Sequence, residues 1–317
     1  MKLRGIEFGN ILGASGVQGF FGEGYWFHQL SEMLGMDFTG MTFVSKTATL
    51  WAREGNMPLT EKYTPREYFP DCVKVKIWRG LMLNSVGLSN PGLKALLKTG
   101  QWQQRKEPFW ISIMSAAETR WQRMQEFIKI VDIIGNSKDS FSTPFGLQIN
   151  LSCPNTGHDP KNMISESADV LDLAGGLEIP LMLKYSIATA PIKTIMELER
   201  HPDCDAICVS NTLPFGWEKL DWQKVWGSKT SPLEKFEYGK GGLSGSVLRP
   251  LVCQWIREIR EAGFTKPING GGGILSAKDV KLYHQAGASS VFLGSAAALR
   301  PLNVNSIIDQ ANNLNWE

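Results

Sequence analysis

The feature that most limits what this chain can fold into is a pattern that recurs eight times. A short apolar, β-branched run ends in a polar or glycine-rich turn and gives way to a longer stretch. The runs are NILGAS (10–15), MTFVSK (41–46), FWISIM (109–114), FGLQINL (145–151), IPLMLK (179–184), AICVS (206–210), PIN (267–269) and SVFLG (290–294). Between them, RWQRMQEFIKIVDIIG (120–135) has apolar residues at helical spacing and a glycine to stop it, and LRPLVCQWIREIREAG (248–263) reads the same way. Strand–helix alternation predicts a parallel sheet covered by helices. Eight such units in 317 residues predict an α/β fold closed as a (β/α)8 TIM barrel rather than an open doubly wound sheet. No linker or low-complexity segment divides the chain, so residues 1–317 are expected to form one barrel domain. The stretch 51–79 holds Pro58, Pro65 and Pro70 with poor periodicity, and is predicted to be an insertion over the C-terminal mouth.

Composition narrows the function classes. A formal net charge of +2 gives no reason to expect nucleic acid or an anionic membrane as partner, while a local anion site remains allowed. No apolar run approaches the ~20 residues that span a bilayer, and MKLRGIEFGN carries no signal-peptide apolar core. The five cysteines are scattered without a CxxC pair, which argues against a disulfide framework or an iron–sulfur cluster. A reduced, cytoplasmic, soluble protein is expected. Cys204 and Cys208 are expected in the core, Trp51, Trp78 and Trp110 in packing or at an interface. His28, His158, His201 and His284 have no ligand spacing, so no metal is assigned.

In a barrel of this kind chemistry belongs at the C-terminal ends of the strands. Those ends bring Ser15–Gly16, Lys46, residues 150–153, Lys184, Asn211, residues 270–273 and Gly294–Ser295 to one face. Three glycine clusters, GKGGLSG (239–245), NGGGGI (269–274) and LGSA (293–296), stand around the last two strands. Any one of them suits a tight turn. Together, beside a helix start near Ser276, they point to a phosphate site, because glycine lets backbone N–H groups approach an anion. The pattern is neither a Walker loop nor a GxGxxG fingerprint. Lys46 and Lys184 each end an apolar strand. A rim salt bridge, an ammonium facing developing negative charge, and a Schiff base all remain open for them. Asn84, Asn150, Asn155 and Asn211 offer paired donors and acceptors that suit an amide-rich ligand such as a pyrimidine. For Cys153, inside NLSCPN (150–155), the residues alone leave a buried thiol and a catalyst as alternatives.

The motifs ASG (14–16), SKTATLWAREGNMP (45–58), LNSVGLSNPG (83–92), INLSCPN (149–155), LKYS (183–186), SNT (210–212), GKGGLSGSVLRPL (239–251), INGGGGI (268–274) and LGSA (293–296) follow one another in an order that resembles the dihydroorotate dehydrogenase family, specifically its soluble, cysteine-type branch. The resemblance implies FMN as cofactor. It places the flavin on Ala14, Ser15, Gly16, Lys46, Asn84, Asn150, Lys184, Asn211, Gly241, Gly242, Gly271, Gly272, Gly273, Gly294 and Ser295. It places the substrate on Lys46, Asn84, Gly87, Leu88, Asn150, Asn155, Asn211 and Thr212, with Lys46 and the Gly87 and Leu88 N–H groups on its carboxylate. Cys153 is implied as general base in the oxidation of dihydroorotate to orotate in pyrimidine (UMP) biosynthesis, with hydride passing to FMN, and Lys184 as the residue that stabilises charge on the reduced flavin. Residues 155–163 are implied to form a lid. The resemblance also implies either a homodimer, toward which SKTATLWAREGN leans, or pairing with an electron-transfer subunit. The acceptor is accordingly fumarate or NAD. The competing readings are a related FMN oxidoreductase acting on another dihydropyrimidine, a Schiff-base lyase using Lys184, and an FMN-binding module without catalysis.

Overall fold

The computed structural model describes residues 1–152, 166–237 and 239–316. Seven parallel strands form one curled sheet: β1 (Ile11–Gly13), β2 (Phe109–Ile113), β3 (Phe145–Asn150), β4 (Leu181–Tyr185), β5 (Ala206–Val209), β6 (Ile268–Gly271) and β7 (Ser290–Leu293). Their order is β1-β7-β6-β5-β4-β3-β2, so from β2 to β7 strands consecutive in sequence are neighbours in space. The sheet's two ends, β1 and β2, are joined by the run predicted at 41–46. It is not a regular strand, because it bonds to one wall and then the other. Thr42 pairs with Leu12 and Val44 with Trp110, both in parallel. Thr42 N–H donates to Ile11 O at 2.9 Å, and Ser45 N–H to Trp110 O at 2.9 Å. With that segment counted as the eighth stave the barrel is closed, as the eightfold pattern predicts.

Strands β2 to β7 are buried along their whole length. Continuous apolar runs are what a sheet covered on both faces requires. One set of side chains, including Leu12, Val44, Trp110, Met182, Cys208 and Phe292, fills a cluster with Met1, Leu3 and Phe8. The antiparallel pair Lys2–Leu3 and Ile6–Glu7 thus brings the N-terminus against the barrel strands. The other set packs on the helices. Helix Arg120–Ser137 starts at a capping box in which Thr119 accepts from Gln122 N–H, and it buries Arg123, Phe127, Ile130 and Ile134 at helical spacing. The expected stop at Gly135 does not occur. The helix runs two residues further, and Gly135 gives room to Leu177, whose Cδ2 would lie 3.3 Å from a Cβ there. Helix Leu248–Glu261 turns Leu248, Val252, Trp255, Ile256 and Ile259 to the core.

The insertion at 51–79 contributes the outer strand of a four-stranded antiparallel sheet, ordered Leu213–Pro214, Gly242–Gly245, Leu81–Asn84 and Val73–Lys76. The GKGGLSG cluster is therefore part of this second sheet rather than a free turn. Gly245 has a φ of 112°, and a Cβ there would fall 2.0 Å from Gly80 O, so this glycine lets two strands touch. Cys72, Cys204, Cys208 and Cys253 are buried. Trp110 lies in the core, but Trp51 and Trp78 are exposed.

Candidate active site

The strand ends and the insertion enclose a cavity of about 1100 Å³. Three groups of residues meet in it. The first is an amide cluster at the ends of β3 and β5. Asn211 Nδ2 donates to Asn150 Oδ1 at 3.1 Å and to Ser152 O at 3.3 Å, and Thr212 N–H donates to Asn211 Oδ1 at 2.9 Å. Both asparagines are buried. Asn211 N–H also bonds Tyr185 O at 2.7 Å, which ties the cluster to the strand that carries Lys184. Lys184 is itself buried, beside Cys208. Burial pushes the Cys208 thiol up to about 12, against the pull of the Lys184 charge, so this cysteine stays a neutral core thiol.

The second group is Lys46 with the loop after Asn84. Lys46 Nζ donates to Ser89 O and stands 4.8 Å from the centre of the Phe20 ring. A Cβ on Gly16 would lie 3.3 Å from Lys46 Cγ, so a glycine lets that loop close over the lysine stem. The carbonyls of the 85–88 stretch are all engaged. Asn56 Nδ2 bonds Ser85 O at 2.7 Å, Asn56 N–H bonds Val86 O at 2.9 Å, Arg53 Nε bonds Gly87 O at 2.8 Å, and Asn90 Nδ2 bonds Leu88 O at 2.7 Å. A trans peptide sets its N–H opposite its carbonyl. The N–H groups of Gly87 and Leu88 are thereby turned away from the insertion, on residues that line the cavity. Both residues have left-handed backbone, φ 72° and 59°. Consecutive N–H groups arranged in this way make an anion-binding concavity. Arg53 and Asn56 set this geometry, and the sequence reading did not single them out. Their signal was their place inside AREGN, next to a loop with two left-handed positions.

The third group is glycine-rich. Ala14, Ser15, Gly272, Gly273, Gly294 and Ser295 all line the cavity. Gly272 and Gly273 have φ of 118° and 75°, and a Cβ on Gly273 would meet Gly245 O at 2.4 Å. Asn84 lines the cavity too. Gly241, Gly242 and Gly271 do not. Gly242 pairs with Asn84 across the second sheet, Gly241 packs on the Asn84 carbonyl, and Gly271 makes room for the Phe292 ring. They support the wall rather than face the space. Ahead of helix Ala277–Gln285, Asp279 takes the Leu275 and Ser276 N–H groups at 2.9 Å each, which fixes the turn that leads from the glycine loop into the helix. Cys153, Asn155 and the expected lid at 155–163 lie outside the described residues.

Tyr25, unremarked in the sequence, and His28, noted there only for its lack of metal-ligand spacing, line the same cavity. Tyr25 Oη donates to Gly16 O at 2.6 Å, and His28 Nδ1 accepts from Tyr25 N–H at 3.3 Å. Burial pushes the His28 imidazole down from 6.5 to about 4. Below pH 6.5 the unfolded chain binds a proton that the fold refuses until about pH 4, so stability falls as pH drops through that window. The contribution lost at pH 5 is about 2 kcal/mol. In urea unfolding, His28→Gln, which keeps an acceptor for Tyr25 N–H, is expected to lack this part of the acid loss. An identical pH dependence in variant and parent would refute it.

The family model described as dihydroorotate dehydrogenase matches residues 1–314. The chain is 28% identical over 326 residues to the catalytic subunit of dihydroorotate dehydrogenase B (NAD(+)) from Bacillus pumilus, covering 99% of this chain and 90% of that protein. It is 27% identical to the same-named subunit from Endomicrobium trichonymphae, over 98% of this chain and 89% of that protein. Among solved structures, that of the Eimeria tenella enzyme in complex with ferulenol superposes with a TM-score of 0.68 at 17% identity, covering 98% of this chain and 82% of that one. The last comparison supports the barrel fold alone. With a family match spanning nearly the whole chain, and a barrel mouth that gathers the motif residues into one cavity, the chain belongs to the dihydroorotate dehydrogenase family of oxidoreductases.

Proposed function

We propose that this chain binds FMN in the cavity at the barrel mouth and oxidises dihydroorotate to orotate, with Cys153 as general base. The observation that carries the reading is the convergence of Lys46, the Gly87–Leu88 concavity, the Asn150–Asn211 pair and buried Lys184 on one space. Those residues suit a flavin mononucleotide. Left-handed Gly272 and Gly273, with Gly294 and Ser295, provide a close backbone approach for a phosphate. Amide and ammonium groups suit the polar edge of a flavin ring. When bound, FMN supplies the hydride acceptor.

The chain's own residues do the rest. Lys46 Nζ and the N–H groups of Gly87 and Leu88 hold the substrate carboxylate. The carboxamides of Asn84, Asn150, Asn155 and Asn211, with Thr212, orient the pyrimidine ring through paired hydrogen bonds. The Asn150–Asn211 bond fixes which amide edge each presents. The Cys153 thiolate takes the proton from carbon 5 as hydride leaves carbon 6, so the ring loses two electrons and two hydrogens to form the double bond. Lys184, at the end of β4, stabilises the negative charge that develops on the reduced cofactor.

The relatives named above are catalytic subunits. This favours an electron-transfer partner over a homodimer acting alone, contrary to the lean of SKTATLWAREGN. Among the described residues no helix is long and apolar enough to cross a membrane. We place the protein in the cytoplasm. The deciding experiment is anaerobic. The purified protein is expected to be yellow, and dihydroorotate is expected to bleach its flavin band. A yellow protein that is bleached by another dihydropyrimidine but not by dihydroorotate would move the substrate assignment. A colourless protein that does not take up FMN would overturn the cofactor.

A further inference from the structure

Four polar side chains interrupt the apolar filling of the barrel near its mouth. Ser45, Thr47, Ser112 and Gln148 are 0%, 5%, 0% and 2% exposed. With Ser15, which lines the cavity as Thr47 does, they form one chain of contacts. Ser15 Oγ lies 2.9 Å from Ser45 O and 2.8 Å from Thr47 Oγ1. Thr47 Oγ1 lies 2.9 Å from Ser112 Oγ, which in turn lies 3.2 Å from the Gln148 amide. Ser112 and Gln148 stand opposite each other on β2 and β3, and Ser112 N–H donates to Ser45 Oγ at 3.0 Å. The chain thus crosses the stave at 41–46, where the regular backbone ladder is missing.

The hydrogens of this chain can be assigned in order. A hydroxyl has one hydrogen to give and a carbonyl has none. Ser45 O only accepts, so the Ser15 hydrogen goes there. The 2.8 Å contact then takes its hydrogen from Thr47. Upstream, Ser112 donates to Thr47, and the Gln148 amide, turned so that its nitrogen faces Ser112, donates in its turn. Every contact then holds one hydrogen. Neither Ser15 nor Thr47 keeps a hydrogen for the cavity, and toward a bound molecule both offer lone pairs alone. A lone pair set against another acceptor in a buried site is unfavourable, whereas an N–H group there is bonded.

The N5 atom of a flavin differs in this respect between its two states. It accepts hydrogen bonds when oxidised, and it carries a hydrogen once hydride has been transferred. Hydride leaves carbon 6, the atom that bears the carboxylate, and Lys46, the residue before Thr47, is proposed to hold that carboxylate. The nitrogen that receives the hydride therefore belongs on the Ser45–Thr47 side of the mouth. We infer that Ser15 and Thr47 form an acceptor-only element of the cofactor site that favours the reduced flavin over the oxidised one, with Ser112 and Gln148 as positioning residues that hold its polarity. The inference rests on the reading of the cavity as an FMN site with the substrate carboxylate on Lys46.

The test is a spectroscopic redox titration of the parent holoprotein, Thr47→Val, Thr47→Ser and Ser15→Ala, with FMN affinity measured beside it. Thr47→Val keeps the side-chain shape and loses the lone pairs. One hydrogen bond made in the reduced state alone contributes about tenfold in relative affinity. The midpoint potential of Thr47→Val is therefore expected to fall by about 30 mV, that tenfold change for a two-electron couple. Thr47→Ser is expected to stay at the parent potential. Ser15→Ala separates hydrogen bonding from packing, and it decides if Thr47→Val does not fold. It leaves Thr47 in place but releases the Thr47 hydrogen, which turns an acceptor into a donor. Its midpoint is expected to fall at least as far. A parent-like potential in Thr47→Val, or in Ser15→Ala where it stands alone, overturns the inference. So does an equal loss of affinity for both states, which puts the pair on a nitrogen that carries a hydrogen throughout. A parent protein that does not take up FMN sinks the cofactor reading, and this inference with it.

Discussion

Cys153→Ala is expected to purify folded and yellow and to reduce its flavin with dihydroorotate about 10²- to 10⁴-fold more slowly than the parent near neutral pH, the usual contribution of a general base. Proton removal from carbon 5 has no substitute in the amide cluster or the two lysines. Asn150, Asn211 and Thr212 are neutral donors and acceptors, and the two lysines are cations placed for negative charge. The other four cysteines are buried, and Cys208, the one beside Lys184, is pushed up to about 12. None of them replaces the missing thiolate at neutral pH. Cys153→Ser separates base strength from shape. A hydroxyl is a far weaker acid than a thiol, so its rate is expected to climb with pH beyond the range where the parent levels off. Stopped-flow reduction under nitrogen, run from pH 6 to 10, reads both variants. Parent-like reduction by Cys153→Ala would mean that the proton leaves to another group.

The barrel was legible because its signal repeats. Eight apolar runs at regular intervals leave few topologies, and seven of them are regular strands within a residue or two of the predicted ends. The eighth, at 41–46, is a stave but not a regular strand, and apolar patterning does not report which wall a residue bonds. The strand ends likewise announced Lys46, Asn150, Lys184 and Asn211, since a barrel places such ends together whatever their sequence separation. What stayed hidden depended on contacts between distant segments. Arg53 and Asn56 act by binding carbonyls some 30 residues away, and no local pattern marks that. The glycines illustrate the same limit. Gly273 and Gly245 look alike in sequence, but one lines the cavity and the other lets strands Leu81–Asn84 and Gly242–Gly245 touch at Gly80. The Asp279 capping box was present as a serine followed three residues later by an aspartate.

Lys184→Ala is expected to slow flavin reduction by about 10²-fold, the scale of removing one preorganised charge from a water-poor site. The reasoning starts from its burial. A lysine at the end of β4, 8% exposed and packed near Cys208, stands in a water-poor part of the mouth, where negative charge that develops nearby is strongly stabilised. The reduced flavin would bring that charge, so the residue's benefit grows as the reaction proceeds. That is the condition for raising kcat rather than tightening binding. The variant should therefore hold orotate nearly as well as the parent while its flavin becomes harder to reduce. A spectroscopic redox titration is expected to give a lower midpoint potential for Lys184→Ala, with the Lys184→Arg variant closer to the parent because the charge is kept. Lys46→Ala provides the contrast. Its Nζ bonds Ser89 O next to the Gly87–Leu88 concavity, so it is expected to raise the dihydroorotate KM with a smaller effect on the flavin potential. If Lys184→Ala instead weakens orotate binding and leaves the potential unchanged, the two lysines have been assigned the wrong way round. The cation that answers the reaction's negative charge would then be Lys46.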